Sequence, residues 1–114
     1  MVLKEEQITG IAKRTIEALE LTISIDAVYL FGSYSSGKAT DFSDIDLAFV
    51  SDGFKDMADY ERSKLLMKVL DKIELPEPKD IEPVGLTNNE YENPEKFSLA
   101  SQVRKTGKTL LKLH

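Results

Sequence analysis

The stretch from Ala27 to Val50 constrains the chain most. "AVYLF" is short, β-prone and almost wholly apolar, and it stops at Gly32, the pattern of a buried strand. Twelve residues separate Phe31 from Asp44, where the chain reads "DIDLAFV", in which Ile45, Leu47 and Phe49 alternate with Asp44, Asp46, Ala48 and Val50. Successive side chains of a strand point to opposite faces, so this is a second strand with one apolar face and one that begins acidic. A twelve-residue link is barely enough for a parallel crossover, so the sheet direction stays open and a mixed sheet is at least as well supported as a parallel one.

The remaining segments supply elements to pack on these strands. Ile8, Ile11, Ala12, Ile16 and Leu19 recur at three- and four-residue intervals, which predicts an amphipathic first helix. Met57, Tyr60, Leu66, Val69, Leu70 and Ile73 suggest a long helix from Asp56 to Glu74, stopped by Pro76 and Pro78. "KDIEPVGL" is a third strand, and Pro83, which lacks a backbone donor, puts it at an edge or a bulge. "TNNEYENP" is loop by composition. A closing helix runs from about Glu95 to Gly107, "KTLLKL" is a short strand or a tail, and His114 is a tail residue. This order predicts an α/β fold of the α+β type, a small mixed sheet with helices packed on it. At 114 residues, 41% hydrophobic and 31% charged, residues 1–114 make one domain with one core.

Bulk properties exclude several classes. No stretch is apolar for long enough to span a bilayer, and the amino end lacks the basic flank and apolar core of a signal peptide. With no cysteine there is neither disulfide nor thiolate chemistry; a reducing compartment, the cytoplasm, is the expected location. Twenty acidic against fifteen basic residues give a net charge of −5, so the overall field repels polyanions and no strong nucleic-acid binding is expected. Any phosphate must be held by a local device.

The acidic strand face invites one. Asp44 and Asp46 project side by side, an arrangement that raises one pKa unless a cation lies between them. Magnesium takes one or two protein carboxylates together with substrate phosphates, and two such ions could clamp the attacking and leaving oxygens of a nucleotidyl transfer. The third acid would come from the third strand, where Asp80 and Glu82 share a face and Glu82 lies nearer the centre. Gly32, Ser33 and the residues to Gly37 can form a helix start whose N–H groups accept a phosphate. Asp-x-Asp alone is a weak sign, since most such pairs are solvated strand faces. Gly-Ser alone is equally often a simple turn, and Lys38 alone is a solvated charge.

Together these residues resemble the signature of the DNA polymerase β-type nucleotidyltransferase superfamily in its minimal form: Gly-Ser, ten residues, then Asp-x-Asp, here Gly32-Ser33 and Asp44-Ile45-Asp46. The resemblance implies that Asp44 and Asp46 bind two magnesium ions, with Glu82, or Asp80 in reserve, as the third carboxylate. It implies that Gly32 and Ser33 hold the triphosphate of ATP or another nucleoside triphosphate. Tyr34 stands where relatives often carry a basic residue, so Lys38 would help with phosphate charge. Minimal members of the family resemble antitoxins of small helical HEPN proteins, which they silence by transferring AMP or by binding. The implied function is therefore magnesium-dependent transfer of AMP to a hydroxyl of a partner protein. A non-catalytic masking antitoxin and transfer to a small molecule are the alternatives. Tyr29, Tyr34, Tyr60 and Tyr91 are conceivable self-modification targets, although tyrosine in a strand or helix more commonly serves packing.

Overall fold

The structure, a computed structural model, describes residues 2–75 and 79–113. Its elements run α1 (Glu5–Leu19), β1 (Ala27–Phe31), α2 (Ser33–Ser36), β2 (Ile45–Val50), a 3-10 turn (Asp52–Phe54), α3 (Asp59–Leu70), β3 (Ile81–Leu86), α4 (Asn88–Glu92), α5 (Leu99–Thr106) and β4 (Lys108–Lys112). The four strands form one sheet in the order β3-β2-β1-β4. β1 is antiparallel to β2 and β4, while β2 and β3 are parallel, so the sheet is mixed. "KTLLKL" resolves as a strand, because Leu111 and Thr109 find partners in Val28 and Tyr29.

Both faces of this sheet are covered, which is why β1 is apolar throughout rather than alternating. On one face Val28, Leu30, Ile45, Leu47 and Phe49 pack with Ile8, Ile11, Leu19 and Leu66 of α1 and α3. On the other, Tyr29, Phe31, Ala48, Val50 and Leu86 meet Ala100 and Val103 of α5. The apolar stripe expected for the first helix is buried along its whole length, and Thr15 joins it by donating its hydroxyl to the Ile11 carbonyl at 2.8 Å.

Three boundaries differ from the sequence reading. The long helix is shorter than Asp56–Glu74: it starts at Asp59, where the Glu61 carboxylate turns back to accept from Ala58 N–H at 3.1 Å, and ends at Leu70. Tyr60, expected on its apolar face, is 73% exposed, and Arg62 occupies the buried position instead. Pro76 and Pro78, proposed as the stop, lie outside the described residues, as does His114. "TNNEYENP" is not all loop, since Asn88–Glu92 is helical. Thr87 and Glu90 cap that helix reciprocally, Glu90 N–H donating to Thr87 Oγ1 at 3.1 Å and Thr87 N–H to Glu90 Oε1 at 2.7 Å. The closing helix begins at Leu99 rather than Glu95, with Ser98 accepting from Ser101 N–H at its start.

β3 is an edge strand, one of the two places expected from Pro83. Ile45 N–H donates to the Asp80 carbonyl and Ser51 N–H to that of Leu86, so the even-numbered residues of β3 face β2 and the odd-numbered ones face outward. The missing donor of Pro83 therefore falls on the open side. Helix α3 covers that side: Ser63 Oγ donates to the Pro83 carbonyl at 3.3 Å and Arg62 Nη1 to that of Gly85 at 3.1 Å. Arg62 also donates to the Met57 carbonyl at 2.9 Å and to Glu90 Oε1 at 2.6 Å. A buried guanidinium is tolerated only with its donors satisfied in this way.

Candidate active site

Asp46 sits in the central strand β2, flanked by Phe31 of β1 on one side and by Glu82 of β3 on the other. Of the two candidates for the third acid, it is Glu82 that meets Asp46. The Asp46 carboxyl is pushed up to about 6, first by burial, then by the negative charge of Glu82 and a hydrogen bond shared with it, and last by Asp44. Such a shift marks carboxylates held together without a counter-charge.

Asp44 lies one residue ahead of β2, half-buried, at the end of a small knotted turn. There Thr40 N–H donates to Ser43 Oγ at 2.8 Å, Ser43 N–H to the Thr40 carbonyl at 3.1 Å, and Phe42 N–H to Thr40 Oγ1 at 3.2 Å. Lys79 reaches across to this turn and donates to the Asp41 carbonyl at 2.6 Å. Asp80 stands at the same mouth: its carbonyl takes Ile45 N–H, and it shares with Asp44 and Lys79 the lining of a cavity of about 470 Å³. The sequence reading missed Lys79, whose only mark is its place ahead of a strand.

Gly32 closes the site from the β1 side. Its φ of 73° is one that glycine adopts without strain, and a side chain here would run into Asp46 Oδ2. From Gly32 the chain makes a single helical turn, Ser35 and Ser36 N–H donating to the Gly32 carbonyl, and Gly37 ends it in the left-handed conformation. The leading N–H groups, those of Ser33 and Tyr34, have no acceptor within the turn. Ser33 is half-buried and Lys38, just past Gly37, is exposed. Tyr34 does not replace a phosphate-binding base: its hydroxyl accepts from Leu3 N–H at 3.3 Å and its ring packs on the core.

Tyr29 and Tyr91 are placed by packing. Tyr29 is buried and stacks on Tyr91 with ring centres 4.4 Å apart, and burial raises the pKa of its hydroxyl further. Arg104 lies over the Tyr91 ring at 4.9 Å. Tyr60 is exposed, beneath Lys64.

Among the described residues no group of three His, Cys, Asp or Glu side chains stands ready to hold a metal ion. The donor set is instead a pair, Asp46 and Glu82, with Asp44 near enough to add its charge. Two carboxylates with positions left over suit a hard cation that keeps its waters and completes its shell with substrate phosphates, as magnesium does. The glycine corner packs its backbone directly against the Asp46 carboxylate, with no room for a side chain between them.

Comparison with known proteins identifies the family and the fold. The sequence profile described as polymerase beta, nucleotidyltransferase, matches residues 13–113. No curated protein matches the chain. Among solved structures, a candidate nucleotidyltransferase from Sulfolobus solfataricus superposes with a TM-score of 0.65 at 22% identity, over 95% of this chain and 83% of that one, a likeness of fold. A toxin-antitoxin structure with AMP-PNP gives 0.54 at 28% identity, over 98% and 76%. A mutant of the toxin-antitoxin MntA-HpeT gives 0.54 at 26%, over the same shares. No helix among the described residues is long and apolar enough to cross a membrane.

Proposed function

The chain belongs to the polymerase beta nucleotidyltransferase family, and from that premise we propose that it transfers AMP from ATP to a hydroxyl of a partner protein, as the antitoxin of a HEPN-type toxin. The observation that carries this reading is the Asp46–Glu82 pair set against the Gly32–Ser33 corner. The 28% identical toxin-antitoxin structure with AMP-PNP supports an adenine nucleotide as substrate and a toxin as partner. Asp44, Asp46 and Glu82 would hold magnesium, which supplies the positive charge that a triphosphate and an ionising acceptor need.

The chain's own residues do the rest. Gly32 offers no side chain, so the phosphates approach its backbone directly, and the Ser33 and Tyr34 N–H groups donate to them. Lys38 adds a cation from beyond Gly37. Asp46 and Glu82, on adjacent strands, fix the reacting oxygens relative to the sheet, and such positioning provides much of the rate in phosphoryl transfer. In the transfer the acceptor hydroxyl gives up its proton to solvent, its oxygen bonds to the α-phosphorus, the bond to the bridging oxygen breaks, and pyrophosphate leaves.

The test is to mix the chain with the helical protein that co-purifies with it, add magnesium and each nucleoside triphosphate in turn, and weigh both proteins. A nucleotide adduct on the partner with ATP, absent in Asp46→Asn, is expected. A partner that is neutralised but gains no mass with any nucleotide refutes transfer.

A further inference from the structure

We propose that the groove between α3, β3 and the start of α5 is the docking face for a partner protein that offers a basic, apolar helix. The inference rests on the transfer reading above, for it supplies the surface on which a protein acceptor would be held. The groove, about 410 Å³, is lined by Val84, Leu86, Leu99 and Ala100 and carries Asp59, Glu90 and Glu95. Val84 and Leu86 follow Glu82 at every second position of β3, so the floor continues the sheet face that bears the carboxylates, one pleat away.

Charge and strain both point to an occupant. Among the described residues that line the groove none is basic. Arg62 behind it pairs with Glu90 and approaches Asp59 at 3.8 Å, which leaves the surface net negative. Lys96, the residue after Glu95, is not in the lining. Phe97, which like Lys96 falls between the lining residues Glu95 and Ser98 without itself lining the groove, is 97% exposed and is the one non-glycine residue with a positive φ, 61°, among the described residues. The turn that holds it is well made: Ser98 donates to the Glu95 carbonyl through its N–H at 3.2 Å and through Oγ at 2.6 Å. Phe97 thus occupies the third position of a tight turn, where glycine is the unstrained choice. A chain that strains its backbone to hold a large ring in water has a use for the ring outside its own core. With the half-exposed Leu99 two residues on, Phe97 gives the apolar half of a contact whose other half is acidic. Its complement is a helix with apolar residues on one stripe and arginine or lysine beside it.

The test uses the full chain and a labelled helical peptide of about sixteen residues, leucine on one stripe and arginine elsewhere, with a glutamate-for-arginine counterpart as control. The arginine peptide should bind at least about tenfold more tightly than the control and weaken with salt. Phe97→Gly, which removes the ring and relieves the turn, and Glu95→Lys, at an exposed position, should each lower its affinity at least about tenfold. Equal binding of the two peptides, or variants that bind as the parent does, overturns the proposal. So does displacement of the peptide by magnesium ATP, which would give the groove to the nucleotide. A dimer of the free chain that Phe97→Gly dissolves would give the face to a second copy and likewise overturn it. Stabilisation by magnesium ATP in a thermal melt reports the transfer reading separately. If it persists while the peptides do not discriminate, docking fails and transfer stands.

Discussion

Replacing Asp46 by asparagine should make the metal-free protein more stable. The Asp46 carboxyl rises from 3.8 to about 6 because burial and two neighbouring acids oppose its ionisation. A fully shielded group with that rise would cost the fold ~3 kcal/mol when charged. Asp46 is only half-buried, and solvent screening brings the figure to about 1 kcal/mol. The sign follows from linkage. The folded pKa lies above the unfolded one, so the stability due to the bound proton is complete below 3.8 and is lost as the pH rises through about 6. An asparagine at this position has no proton to lose and carries no such dependence. Melts in EDTA should show Asp46→Asn ahead by about 4 °C at neutral pH, with the advantage shrinking toward zero near pH 4. Magnesium should then raise the melting temperature of the parent chain and leave the variant unmoved. An asparagine variant that is less stable than the parent at neutral pH, or a difference indifferent to pH, would refute the crowding argument and with it the case for a cation here.

Other substitutions test neighbouring parts of the structure. Gly32→Ala should fold with a loss of about 1–2 kcal/mol, from the positive φ, and lose magnesium-dependent ATP binding at least about tenfold, by calorimetry, because the new methyl displaces Asp46. Arg62→Leu should lower stability by roughly 3 kcal/mol in urea unfolding, since it strips Glu90 and the Gly85 carbonyl of their partner. Adding Glu90→Gln should recover part of that loss. Phe97→Gly should stabilise the isolated chain by about 1 kcal/mol, a gain read in the same assay. A loss of stability there would show the ring to be part of the fold.

What was legible in the sequence was what short-range pattern encodes. The buried strand, the Gly-Ser corner and the alternating acidic strand each depend on neighbours within a few residues, and all three stand where the pattern put them. Pro83 limited its strand to an edge or a bulge because it lacks a donor, and of the two the structure shows the edge. Helix α4 was also local, since Thr87-x-x-Glu90 is a capping box, and composition hid it. The extent of α3 was not local: Met57 and Tyr60 keep helical spacing, yet the chain is still turning from Phe54 to Met57. Arg62 could not be recognised as buried, because its partners Gly85 and Glu90 lie 23 and 28 residues away. Lys79 answers to a backbone carbonyl 38 residues back, which no side-chain pattern records. The sequence reading preferred Glu82 to Asp80 by its place in the strand, and the β2–β3 register sets Glu82 opposite Asp46.

That register shows how an edge strand can carry half of a paired site. Asp46 is fixed from both sides by β1 and β3, whereas Glu82 depends on β3 alone. An unsupported edge would let β3 drift, and a shift of one residue would turn Glu82 to the opposite face. The outward carbonyls of Pro83 and Gly85 are held by Ser63 and Arg62, so β3 is clamped between β2 and α3 along the residues that follow Glu82. Pro83 itself removes a donor on the open side alone, which leaves the β2 ladder intact and denies a stray strand one hydrogen bond. Arg62 then binds the same clamp to α4 through Glu90, whose carboxyl, despite the cost of burial, is kept below its ordinary pKa by Thr87 and Arg62. The strand that carries Glu82 is thereby held by helix α3, and the apolar face beneath, from Ile45 through Phe49, keeps β2 in place against the repulsion of the carboxylates.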